Sequence, residues 1–104
     1  METRNWSAWV DLEPPGPKQL HVIGEVRVGT PTTKALLRAH LPPRIDPKFL
    51  LLNLVIEPHG GPDVMSWVKT CYEQVLKPKD TEPTSVEILA GGKSVATVPV
   101  KEAH

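Results

Sequence analysis

The sequence predicts an all-β protein: a mainly antiparallel β-sandwich of six or seven strands, formed by residues 1–104 as a single domain. Three observations support this fold class. Twelve prolines punctuate the chain in clusters, and proline fixes φ and removes a backbone donor. The segments between the clusters are short and rich in Val, Ile, Leu and Thr, which are common in strands. Two of these segments alternate between apolar and polar positions, the periodicity of a half-buried strand.

The proline clusters predict loops at residues 14–17, 42–47, 58–62 and 78–83. Short apolar segments separated at fairly regular intervals by turn-forming residues are typical of sandwiches and barrels. We therefore expect an immunoglobulin-like architecture in general outline. Because Cys71 is the single cysteine of the chain, the paired cysteines of true immunoglobulin domains are absent.

The clearest local pattern predicts a hairpin of two strands, Leu20–Val28 and Thr33–Leu41, joined by a loop at residues 29–32. Its inner face consists of Leu20, Val22, Gly24, Val26 and Val28 in the first strand and Thr33, Ala35, Leu37, Ala39 and Leu41 in the second. A four-residue loop brings the two apolar faces together and sets large side chains opposite small ones. The same register places His21 opposite His40 on the outer face.

Three more strands follow from composition. Phe49–Glu57 is apolar on both faces apart from one asparagine, which predicts a central strand covered on both sides. Ser85–Leu89 and Val95–Val100 flank a turn with two adjacent glycines and predict a second hairpin. Pro99 predicts that the last strand lies at a sheet edge, because proline cannot donate to a ladder.

Two segments fit either a helix or a strand. Residues 63–76 place apolar side chains at helical spacing, with Asp63 as a candidate N-cap. The same segment is rich in residues that are weak helix formers and common in strands. We predict a strand there, with an α+β fold containing one helix at 63–76 as the alternative. The region of Trp6, Trp9 and Val10 fits a first strand or a helical turn.

Charge and composition limit the partners. The chain has 12 basic and 12 acidic residues, so its formal net charge is zero at pH 7. A neutral protein has no long-range attraction to phosphates or anionic lipid, so we expect neither nucleic acid nor a membrane as partner. We expect a protein partner or self-association, which neutrality favours. A single cysteine and the absence of an apolar signal-peptide stretch at the start predict a cytoplasmic location.

No motif for catalysis, a cofactor or a metal emerges, so we expect a non-enzymatic protein that binds neither cofactor nor metal. Cys71 lies in an apolar-rich segment, which predicts a buried and unreactive thiol. His21 and His40 are the one candidate pair for a metal, but no CxxC or HExxH spacing accompanies them. The glycine pairs at 60–61 and 91–92 fit turns better than an oxyanion hole or a phosphate loop.

The sequence therefore favours a protein-binding module or a small subunit of an assembly. The candidate binding residues are His21, Ile23, Arg27, Lys34, Leu36, Arg38 and His40 on the outer face of the predicted hairpin, with Trp6 and Trp9 as candidate aromatic anchors. In the predicted register Arg27 faces Lys34, which an acidic partner or the acidic 82–87 segment of a second copy would relieve. The alternatives are a small-ligand binding protein and a hydrolase that uses Cys71 or a histidine site.

Overall fold

A computed structural model of the chain describes residues 1–11, 17–41, 46, 48–77 and 81–103. These residues form seven strands: β1 (Thr3–Asp11), β2 (Lys18–Val28), β3 (Lys34–Ala39), β4 (Phe49–Glu57), β5 (Ser66–Leu76), β6 (Ser85–Ala90) and β7 (Lys93–Ala103). None of the described residues is helical, so the predicted all-β class is confirmed and the alternative helix at 63–76 is wrong. Nor does the described part contain a helix with the length and apolar character to cross a bilayer.

Two of the predicted loops can be compared with the structure. Residues 58–62 lie between β4 and β5, and Pro83 lies between β5 and β6, as the proline clusters predict. The other predicted loops fall largely on residues 12–16, 42–45, 47 and 78–80, which lie outside the described part, as does His104.

The seven strands form one mixed sheet in the order β3-β4-β6-β7-β1-β2-β5. The β4–β6 and β1–β7 pairs are parallel, and the other neighbouring pairs are antiparallel. The two end strands of this order, β3 and β5, lie alongside each other, so the sheet nearly closes into a barrel. The predicted immunoglobulin-like sandwich of two sheets is therefore not confirmed.

The predicted pairing of residues 20–28 with 33–41 is wrong, although both segments contain strands. β2 pairs with β1 on one side and with β5 on the other, while β3 pairs with β4. The β2–β5 ladder includes all eleven residues of β2, whereas a ladder with β3 could include at most the six residues of β3. The longer ladder satisfies more backbone groups, so the connection at residues 29–33 crosses to another part of the sheet.

The core lies on the inner side of the curved sheet. Its largest fully buried side chains are Leu20, Leu52, Ile88, Val10, Val22, Val26 and Val86. The predicted inner face of the first hairpin strand is confirmed, because every even-numbered residue from 20 to 28 is buried. In β3, Ala35 and Leu37 are buried, but Ala39 and Leu41 are exposed, contrary to the prediction, because β3 ends at Ala39.

The predicted hairpin of the last two strands is confirmed. Gly91 and Gly92 have φ angles of 59° and 81°, the positive values that a tight two-residue turn between strands requires. β7 is nevertheless an interior strand and not the edge strand that Pro99 predicts, since it pairs with β6 through Lys93–Pro99 and with β1 through Val100–Ala103.

Pro99 is the last residue of β7 that pairs with β6, and the pairing with β1 begins at the next residue. The Val100 amide donates to the Thr84 carbonyl on the β6 side, at 3.0 Å. Because successive amides of a strand point to opposite sides, the missing N–H of Pro99 would point toward β1. The ladder with β1 begins at Val100, so the proline removes no bond from it.

Candidate functional site: the two outer faces of the sheet

Residues that are paired directly across two strands share a face of the sheet, and alternate positions along a strand point into the core. By this rule the candidate binding residues lie on two outer faces. The β1-β2-β5 face carries Arg4, Ser7, Trp9, His21, Ile23, Glu25, Arg27, Trp67, Lys69, Cys71, Glu73 and Val75. The β3-β4-β6-β7 face carries Lys34, Leu36, Arg38, Phe49, Leu51, Asn53, Val55, Glu57, Ser85, Glu87, Leu89 and Thr97. The predicted hairpin therefore joined residues that belong to different surfaces.

A β-bulge in β1 shapes the first of these faces. One extra residue interrupts the register with β2 after Arg4, and Asn5 adopts the left-handed φ of 57°. The Asn5 Nδ2 group donates to Glu25 Oε1 at 2.5 Å, and this bond holds the pKa of the Glu25 carboxyl below its ordinary value. The Arg4 guanidinium, 3.4 Å from the same oxygen, acts in the same direction.

The bulge also turns Trp6 toward the core. Its ring lies directly over Gly24, where a methyl group would overlap the ring carbons. The indole Nε1 donates to Thr3 Oγ1 at 2.9 Å, which satisfies its donor within the same strand. Trp6 is therefore partly buried against the core and is not presented as an exposed anchor.

The charged side chains of the β1-β2-β5 face are largely engaged with each other. Arg27 lies 3.2 Å from a carboxylate oxygen of Glu2 and stands opposite Trp67, so it does not face Lys34 as predicted. The guanidinium of Arg4 lies 3.9 Å from the centre of the Trp67 ring, in a cation–π contact. A partner that covered this face would have to desolvate these pairs.

His21 and His40 lie on different faces. The His21 ring stacks on Trp9 with centroids 5.2 Å apart, and its Nδ1 atom lies 3.6 Å from a carboxylate oxygen of Glu73. The Nδ1 atom of His40 lies 3.1 Å from the Asn53 side-chain oxygen, on the β3-β4-β6-β7 face. Within the described ranges, no group of three or more His, Cys, Asp or Glu side chains is placed to hold a metal ion.

Cys71 is exposed, so the prediction of a buried thiol is wrong. It stands opposite Ile23, which is 42% exposed, and it borders a surface hollow of about 410 Å³ that Asn5 and Lys69 also line. The error arises because residues 66–76 form an end strand, whose odd-numbered positions point outward between charged neighbours. The His21 ring, on the same face, contacts Trp9 and Glu73.

The β3-β4-β6-β7 face has an apolar centre, which sequence reasoning did not identify as a surface. Its apolar side chains are Leu36, Phe49, Leu51, Val55 and Leu89. Leu36 stands opposite Val55 in the β3–β4 ladder, and Phe49 at the start of β4 is 44% exposed. The apolar pattern of residues 49–57 predicts a cover on both sides, but none of the described strands covers the outer one.

The charges on this face balance and are separated across it. Lys34 and Arg38 lie on β3, whereas Glu57 lies on β4 and Glu87 on β6. Lys34 stands opposite Glu57, and an Arg38 nitrogen lies 3.8 Å from a Glu57 oxygen. The face is thus basic at the β3 side, acidic beyond it and neutral as a whole.

The predicted site residues divide between these surfaces. Lys34, Leu36, Arg38 and His40 lie on the β3-β4-β6-β7 face, whereas His21, Ile23, Arg27 and Trp9 lie on the β1-β2-β5 face. Leu51 and Val55 were not among the predicted binding residues. The apolar character of both faces of β4 was the feature of the sequence that could have indicated them. Comparison of the chain with protein-family models, with curated proteins and with solved structures gave no match.

Proposed function

We propose that this domain is a protein-binding module, or a small subunit of an assembly, and that it binds through the β3-β4-β6-β7 face. The observation that carries the proposal is the apolar centre of that face, Leu36, Leu51, Val55 and Leu89, over which no described strand packs. An apolar centre surrounded by polar and charged side chains is the usual composition of a protein interface.

The β1-β2-β5 face is the weaker candidate. Its arginines are held in contacts within the chain, by Glu2 and Glu25, and its histidine is stacked on Trp9. Burying such satisfied charges costs desolvation energy and gains few new bonds. The β3-β4-β6-β7 face offers an apolar centre at Leu36, Leu51, Val55 and Leu89, and burial of apolar side chains is favourable.

The absence of net charge supports a protein as the partner. The 12 basic and 12 acidic residues leave no field that would concentrate a polyanion at the surface. An exposed and unpaired thiol at Cys71 is compatible with a reducing compartment, which supports a cytoplasmic site of action as part of the proposal.

The test replaces one apolar side chain at the centre of the proposed surface. Leu51→Lys places a charge there, and Ile23→Lys makes a comparable change on the β1-β2-β5 face, where Ile23 is 42% exposed. The wild-type protein and both variants, each verified as folded by circular dichroism, are immobilised and exposed to a lysate of the native host.

We expect a set of proteins that the wild type and Ile23→Lys retain and that Leu51→Lys loses. Leu36→Lys, on the neighbouring strand β3, repeats the test in case Leu51→Lys does not fold. Equal retention by the wild type and by every variant would reject this face as the binding surface.

A further inference from the structure

No further inference is drawn: the strongest candidate, the edge of β5 that does not pair with β2, at which a two-fold axis through Cys71 would set Lys69 opposite Glu73 of a second copy, faces β3 in the near-closed sheet, and nothing in the structure shows room there for a strand of another chain.

Discussion

At the scale of single residues, the contact between Trp6 and Gly24 connects the bulge of β1 to the core. The ring occupies the space in which any other residue at position 24 would place its Cβ atom. Glycine is therefore required at position 24 because the Trp6 ring lies so close to the backbone there. Its backbone conformation is that of an ordinary strand residue.

Replacement of Gly24 tests this contact. We expect Gly24→Ala to lower the free energy of unfolding by about 1–3 kcal/mol, the usual cost of overpacking, as measured by urea denaturation. Gly29→Ala is the control, since no atom lies within 4 Å of the position that its added methyl group would occupy. In a Trp6→Leu background the cost of Gly24→Ala should shrink, and an unchanged cost would show that the ring is not the obstacle.

Thr70 is a second residue at which the direction of a change in the free energy of unfolding can be predicted. Its side chain is buried and its Oγ1 atom has no hydrogen-bond partner among the described residues. Thr70→Val keeps the shape of the side chain and removes the unsatisfied hydroxyl, so we expect the free energy of unfolding to rise by about 1 kcal/mol. The exposed Thr97→Val serves as control, with an expected change within about 0.5 kcal/mol, and a destabilised Thr70→Val would contradict the prediction.

At the scale of strands, the local apolar alternation predicted which residues of a strand face the core. It did not predict which strands pair with each other. The inner face of β2 was correct residue by residue, because apolar alternation depends only on neighbours two positions apart. The pairing of β2 with β3 was wrong, because a short connection is compatible with both a hairpin and a crossing. That choice depends on β1 and β5, which are distant in the sequence.

The candidate site was predictable to the same limited extent. The sequence correctly placed Lys34, Leu36 and Arg38 on an outer face, because the alternation of side chains along β3 depends only on neighbouring residues. Their apolar neighbours Leu51 and Leu89 were missed, because a two-sided apolar strand is compatible with burial on both sides and with a binding surface on one.

The bulge of β1 contains a backbone effect and a side-chain effect that can be measured separately. Asn5 has a left-handed φ, which costs an alanine about 1 kcal/mol and costs a glycine almost nothing. We therefore expect Asn5→Ala to be less stable than Asn5→Gly by about 1 kcal/mol at every pH. Equal stability of the two variants would contradict the backbone effect.

The side-chain effect is expected to depend on pH. The bond from Asn5 lowers the pKa of Glu25 in the folded state below the ordinary value of 4.5. A lowered folded pKa contributes stability above the unfolded pKa, and that contribution is lost as the pH falls through the folded value. The difference between the wild type and Asn5→Gly should therefore be largest at neutral pH and should shrink below about pH 4, as measured by urea denaturation across pH. A difference that stayed constant would exclude Glu25 as its source.

At the scale of the whole molecule, β7 joins two groups of strands. Its first part continues the group of β3, β4 and β6, and its last residues, Val100–Ala103, pair with Ala8–Asp11 of β1. The near-closed sheet therefore depends on a short parallel ladder between distant parts of the chain. β7 therefore lies between the two outer faces, since its outward residue Thr97 is paired with Glu87 and its outward residue Lys101 is paired with Trp9.

Removal of residues 100–104 tests this dependence. The truncation eliminates the β1–β7 ladder and the packing of Val100 against the core, so we expect a loss of unfolding free energy on the order of 3 kcal/mol. Hydrogen exchange is expected to accelerate at the amides of residues 8–11 more than at those of residues 51–54 in β4, because only the former lose a neighbouring strand. Lys101→Gln, which keeps the backbone ladder and changes one exposed side chain, should leave both measurements unchanged. Equal acceleration at β1 and β4 would mean that β7 stabilises the sheet as one cooperative unit and not as a junction between two groups of strands.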